Sequence, residues 1–292
     1  MIESKESQPW IFNSVQGKVV IVTGASRGIG RAIAECYGAH GMKVACAARS
    51  VDQGQAVSDG ICAKGGDAIF IQTDCSSTAA IKELVDKTVA HYGKLDGVVS
   101  NAGIGMGGTP LHEYDVTDYE KIFALNSEGV FAGMKYGAEA ILKSHSEGGF
   151  LINVASIAGL VPQRGQALYS ATKFGVVGMT RAAALDYAAY GITVNAICPG
   201  YTKTSIFGDA PASAMDFFAS DWPRQAHGRP GGMRGIGTVP CQRYGAVYHR
   251  RSHPGGRCTF GWAPEHQQLE APRNPDGRQA EQPKHDRRFD GK

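Results

Sequence analysis

Tyr169 and Lys173 stand four residues apart in the run Tyr169-Ser170-Ala171-Thr172-Lys173, a spacing that sets both side chains on one face of a helix. An ammonium group beside a phenol favours the phenolate and lowers its pKa, which makes a tyrosine usable as a general acid or base near neutral pH. Ser156 follows an apolar run ending at Ala155. In an open α/β sheet the residues just past a strand's end line the place where ligands bind. By itself a Tyr/Lys pair at this spacing serves equally well as a surface pair.

A second group of residues suits a phosphate. Thr23-Gly24-Ala25-Ser26-Arg27-Gly28-Ile29-Gly30 closes one apolar run and opens a helical one. Glycines let the backbone turn sharply and approach a phosphate closely, and the helix start presents free N–H groups with a positive dipole end. The glycine spacing departs from G-x-G-x-x-G, yet the strand–turn–helix setting is the one that fingerprint requires; an ordinary tight turn is the plainer reading. Where a carboxylate for the ribose is expected, at the end of the second apolar run, stand Ala48 and Arg49. Arg49, with Arg27 on the other side, suits a 2′-phosphate, so NADP is expected ahead of NAD. As merely solvated surface groups the two arginines leave the choice open.

Elements must hold these residues in place. Lys18 to Thr23, Val44 to Ala48, Ala68 to Gln72, Leu95 to Ser100, Phe150 to Ala155 and Thr193 to Ile197 are short apolar runs, several of them β-branched, and predict six strands. Helical spacing fills the gaps, as in Gly30 to His40, Ala79 to Tyr92, Asp118 to Lys143 and Gln166 to Tyr190. Such alternation predicts a Rossmann-like, doubly wound α/β domain: a parallel sheet with helices on both faces.

The chain has 292 residues, 42% of them apolar and 20% charged, enough for a sizeable buried core. No apolar run reaches the length of a membrane span, and the first residues lack the basic and apolar segments of a secretory signal. The 7 cysteines are odd in number and scattered, which predicts reduced thiols, no metal site and a cytoplasmic location. The net charge of +3 is unevenly spread: residues 224–292 carry 13 Lys/Arg against 6 Asp/Glu. The body is mildly acidic, so neither a nucleic-acid nor a membrane partner is expected. The tail's few aromatics are not interleaved with its arginines as a stacking platform requires.

Taken in order along the chain, these motifs resemble the classical short-chain dehydrogenase/reductase family over roughly Gly17 to Thr204. Thr23 to Gly30 is similar to the family's glycine loop, with Gly24, Ser26, Arg27, Gly28, Ile29 and Gly30 as cofactor contacts alongside Arg49. The resemblance implies that Asp74 contacts the adenine ring and that Asn101-Ala102-Gly103 steadies the central strand and lies along the cofactor. Asn126, Ser156, Tyr169 and Lys173 match the catalytic tetrad. The stretch Pro199-Gly200-Tyr201-Thr202-Lys203-Thr204 resembles the one that touches the nicotinamide carboxamide, which brings in Pro199, Gly200, Thr202 and Thr204.

The implied function is hydride transfer between NAD(P) and a secondary alcohol or ketone. In that scheme Tyr169 exchanges a proton with the substrate oxygen and Ser156 holds that oxygen. Lys173 lowers the Tyr169 pKa and grips the nicotinamide ribose, while Asn126 orders a relay water. Substrate contacts are expected from Ile104 to Asp115, from Ile157 to Gln166 and from Ser205 onward. Met106, Leu160, Val161 and Phe207 there suit a small, neutral, partly apolar alcohol, diol or ring alcohol, or else simply pack the loops.

After about Trp222 the pattern stops, and Gly, Pro, Arg, Gln and His dominate. Residues 1–222 are therefore expected to form the Rossmann-type domain and residues 223–292 an irregular tail. The family's closing helix, Leu-Ala-Ser-Asp turn and last strand are not readable in it. Back-translated and read one base later, His227 to Gly232 permits Met-Gly-Asp-Pro-Glu, and Ile236 to Tyr244 permits Leu-Ala-Leu-Phe-Leu-Ala-Ser-Asp. Tyr248 to Arg251 permits Ile-Thr-Gly, and Pro254 to Arg257 permits Pro-Val-Asp. The tail is read as a frameshift product beginning between about Ala219 and Ala226, with a natural divergent tail as the other reading. The C-terminal strand is then missing, and two outcomes stand: an active enzyme, or a cofactor-binding but catalytically impaired remnant. A homo-oligomer is expected where the C-terminus is intact.

Overall fold

The computed structural model describes residues 15–144 and 148–200, all within one compact unit of the chain. Tyr201, Thr202, Lys203, Thr204, the loop from Ser205 and the tail beyond residue 222 lie outside the described residues.

Six strands form one sheet: β1 (Val19–Thr23), β2 (Lys43–Ala48), β3 (Asp67–Gln72), β4 (Gly97–Ser100), β5 (Gly149–Val154) and β6 (Ile192–Ile197). Their order is β3-β2-β1-β4-β5-β6, and every neighbouring pair is parallel. Each strand falls where the apolar runs predict it. β4 starts later than expected because the Asp96 carboxylate takes the Val19 N–H at 2.8 Å and pairs with Lys94 at 2.8 Å. Leu95 and Asp96 thus close the bottom of the sheet, ahead of the ladder.

The connections are helical, as a parallel sheet demands. They are α1 (Gly28–Ala39), α2 (Val51–Cys62), α3 (Thr78–Tyr92), α4 (Val116–Phe123), α5 (Gly129–Lys143) and α6 (Ala167–Tyr187). Alternate residues of β1 face opposite layers. Val20 and Val22 pack with Ile33, Val57 and Ile61 of α1 and α2. Val19 and Ile21 pack with Leu84, Val130, Ile141 and Val176 of α3, α5 and α6. All five β1 residues are buried, which is why the strand reads as an unbroken apolar run.

The single helix expected from Asp118 to Lys143 is two helices joined by a π turn, Ala124–Glu128. Such turns hold one extra residue within a helix and recur at functional sites. The strand order reverses between β2-β1 on one side and β4-β5 on the other. That reversal opens a crevice past the carboxyl ends of β1 and β4, where such sheets take ligands.

Candidate active site

The crevice is a cleft of about 600 Å³. One wall is the turn between β1 and α1. Gly24 and Gly28 hold φ values of 65° and 57°, which other residues rarely adopt. Space is the second constraint. A Cβ on Gly24 would lie 2.9 Å from the Ala102 Cα, and one on Gly30 would run into the Gly24 carbonyl and the Asn101 amide.

Asn101 ties the turn to β4. Its side-chain N–H donates to the Thr23 carbonyl at 2.9 Å. Its backbone N–H and that of Ala102 both donate to the Thr23 Oγ1, at 2.9 and 3.0 Å. At the start of α1 no side chain caps the helix, so its first N–H groups are left for an anion. Ser26, Arg27, Gly28 and Ile29 border the cleft there, and Arg49 borders it from the end of β2. This is a cradle of glycine backbone, helix N-terminus and guanidinium groups, which fits a dinucleotide phosphate.

The opposite wall carries the candidate acid/base group. Ser156, Tyr169 and Lys173 all border the cleft. Ser156 sits just past β5, where its Oγ accepts the Ala158 N–H at 3.2 Å. The Tyr169 hydroxyl and Ser156 share a hydrogen bond. Lys173, one helical turn on, donates from Nζ to the Val154 carbonyl at 2.9 Å and lies 5.7 Å from the centre of the Tyr169 ring.

Asn126 occupies the π turn and is fully buried. Its Oδ1 accepts the Ile104 N–H and its Nδ2 donates to the Ile104 carbonyl, both at 2.9 Å. A Cβ on Gly103 would stand 3.1 Å from the Asn126 Oδ1 and 3.6 Å from the Lys173 Nζ. Two of the four residues expected to form a tetrad, Asn126 and Lys173, therefore meet at Gly103.

Burial governs the electrostatics. It pushes the Tyr169 phenol above its ordinary value, and the Ser156 hydrogen bond pulls it part of the way back. The downward pull expected from Lys173 is not what sets the phenol here, because the ammonium is spent on the Val154 carbonyl and is itself desolvated. Burial lowers the Lys173 pKa from 10.5 to about 8.

A folded-state value below the unfolded one means that this lysine opposes folding most below about pH 8 and ceases to as pH approaches 10.5. Cofactor-free protein should therefore gain stability, relative to a Lys173→Met variant, as pH rises through that window. The gain is about 3 kcal/mol at most, at 1.36 kcal/mol per pKa unit. Denaturant melts of both proteins from pH 7 to 10.5 would measure it, and parallel curves would refute it.

Not every residue expected at the site borders the cleft. Gly30 is buried inside the turn. Asp74 is exposed beside Arg49. Hydrogen bonds from the Ser76 backbone and hydroxyl hold its carboxyl below the ordinary range, with the Arg49 charge a smaller cause. Asn101, Ala102, Gly103, Pro199 and Gly200 border the cleft; Thr202 and Thr204 lie outside the described residues. Gln163 and Gln166, within the loop from Ile157 to Gln166 expected to contact substrate, border it; sequence reasoning missed Gln53, Thr73, Cys75 and Leu125, which also do. Their side chains signal no chemistry. Thr73 and Cys75 were findable only from lying just past the end of β3.

Comparison with known proteins was made on this geometry. The sequence profile of the short chain dehydrogenase family matches residues 18–214. A 3-oxoacyl-[acyl-carrier-protein] reductase of Synechocystis is 36% identical, the match covering 80% of this chain and 94% of that protein. A 2,5-dichloro-2,5-cyclohexadiene-1,4-diol dehydrogenase of Sphingobium indicum is 39% identical over 66% of this chain and 76% of its own. Among solved structures, a short chain dehydrogenase from Burkholderia cenocepacia in complex with NADP superposes with a TM-score of 0.64. It is 37% identical, and the match covers 69% of this chain and 82% of the other.

Proposed function

From the premise that the chain belongs to the short chain dehydrogenase family, we propose that it is an NAD(P)-dependent oxidoreductase of secondary alcohols or ketones with Tyr169 as general acid/base. One observation carries the reading: Ser156, Tyr169 and Lys173 form one wall of a cleft whose other wall is an anion-binding glycine turn. A bound nicotinamide supplies the hydride donor or acceptor. The rest falls to the chain. Thr23, Asn101 and the glycines Gly24, Gly28 and Gly30 shape the turn that takes the phosphates. Ser156 holds the substrate oxygen, and Tyr169 gives that oxygen its proton in reduction or removes it in oxidation. Lys173 lies over the Tyr169 ring and meets Asn126 at Gly103, and Asn126 is fixed to the Ile104 backbone. Among the described residues no helix is long and apolar enough to cross a membrane.

The cofactor is NADP on this reading. Ala48, Arg49, Ser50 and Gln53 border the cleft at and just past the end of β2 and Arg27 borders it at the glycine turn, and the described cleft offers no carboxylate there to a ribose hydroxyl. Ala48→Asp should repel a 2′-phosphate and move the ratio of kcat/KM values for NADP over NAD down by about tenfold or more, the scale of one charged contact. A parent enzyme that already prefers NAD would overturn the assignment. Cofactor fluorescence titration run beside a turnover assay tests the whole reading: binding without turnover on any alcohol or ketone supports the impaired remnant instead.

A further inference from the structure

Two loops lean on the candidate acid/base group. In the first, residues 104–115, Ile104 and Met106 pack against the buried cluster of Ile122, Ala158 and Tyr169. The second, residues 157–166, borders the cleft with Gln163 and leads directly into α6, which carries Tyr169 and Lys173. The loops are far apart in sequence, so their mutual placement depends on the contacts between them.

The first loop is tied at both ends. At one, Asn126 holds the Ile104 backbone at 2.9 Å in both directions; at the other, Asp115 caps α4 in a reciprocal box with Asp118. Between these ends the two loops meet at the Gly165 carbonyl, which accepts the half-buried Tyr114 hydroxyl at 2.9 Å and the Thr109 N–H at 3.3 Å. Gly165 can present that carbonyl because it lacks a side chain. Its φ is 69°, which other residues rarely adopt, and a Cβ there would stand 3.2 Å from the Gly108 backbone. Tyr114 stays a donor: burial, and after it the Asp118 charge, holds the phenol above its ordinary pKa.

Resting on the oxidoreductase reading above, we infer that Tyr114 is a positioning residue whose hydroxyl latches the two loops into one preformed wall beside Tyr169. The residue acts through the loops and not on the reacting atoms. A wall set in advance spares the substrate the cost of ordering a loose loop on binding. The hydrogen bond, and not the ring, carries the role. Phenylalanine keeps the ring and its packing and deletes only the donor, which leaves the Gly165 carbonyl to the longer contact from Thr109.

The test uses the full chain, Tyr114→Phe, Gly165→Ala and the double variant. Two readouts need no turnover. Hydrogen exchange reports the loops, and the fluorescence of bound NADPH reports affinity for cyclohexanol, a pair in which both members are reduced and no hydride can pass. Tyr114→Phe should speed exchange within residues 104–114 about three- to tenfold, the worth of one neutral hydrogen bond, and leave β1 and β4 as they are. Cyclohexanol affinity should fall about threefold or more while NADPH affinity stays within about twofold. Where turnover is measured, the loss should sit in KM, with kcat within about threefold. Gly165→Ala should act in the same direction, and adding Tyr114→Phe to it should change less than in the parent, since both break one contact. Unchanged exchange in the Phe variant overturns the latch. Faster exchange with unaltered cyclohexanol affinity overturns the positioning role, as does protection lost across the whole sheet, the mark of a purely structural residue. A parent that binds NADPH but no secondary alcohol counts against the oxidoreductase reading, and exchange alone then decides the latch.

Discussion

Replacing Tyr169 by Phe is expected to cut turnover by about 10²-fold or more while cofactor affinity stays within about threefold, the usual reach of a general acid/base. The ring is 7% exposed and packs with Ile122 and Ala158, so phenylalanine fills the same space and the fold is kept. Lys173 stays on the Val154 carbonyl and still meets an aromatic face. What disappears is one oxygen, and with it the only hydroxyl that both meets Ser156 and borders the cleft from α6. Proton exchange with the substrate must then come from water or from Ser156, neither held at the right point. An active parent whose Phe variant turns over within a few-fold would remove Tyr169 from the mechanism.

The second large effect concerns the frame read after about residue 220. Among the described residues β6 has a partner on one side only, β5, and a parallel sheet is stable when its strands are paired and both faces are covered. On the frameshift reading, the sequence permitted in the shifted frame supplies a further strand of the kind the family carries. Burying a few hundred Å² of apolar surface with it stabilises by several kcal/mol at about 25 cal/mol per Å². For a domain of this size that raises the melting temperature by roughly 10 °C or more. Expressing both reading frames and comparing melting temperature, cofactor binding and turnover decides it. If the recorded frame is equally stable and active, the frameshift explanation is wrong.

Much of the architecture was legible because its physics is local. A strand buried on both faces must be apolar throughout, so Val19–Thr23 announces itself. The glycine turn is equally plain, since positive φ and close backbone approach leave no substitute for Gly24. Tyr169 and Lys173 were found from helical spacing. What stayed hidden depends on partners distant in sequence. Nothing near Lys173 says that its charge goes to a carbonyl of β5, and nothing near Asp74 says that Ser76 will claim it. The stretch from Ile157 to Gln166 is expected to contact substrate, yet nothing in its sequence says that Gln163 and Gln166 are the polar members that border the cleft. The π turn was invisible for another reason: an apolar period cannot register one added residue when both flanking helices keep their own phase.

That added residue has a further consequence. Along a regular helix each position turns the chain by about 100°, so a helix with one residue too many carries a phase shift between its halves. Ile122 and Asn126 are set by one phase, and the buried row Val130, Met134, Ala138 and Ile141 by the other. The first sets Ile122 against Tyr169 and Asn126 against the Ile104 backbone; the second seats α5 on the sheet. Length within a helix thereby works as an angular setting, separating two requirements that a continuous helix would force to share a single compass bearing.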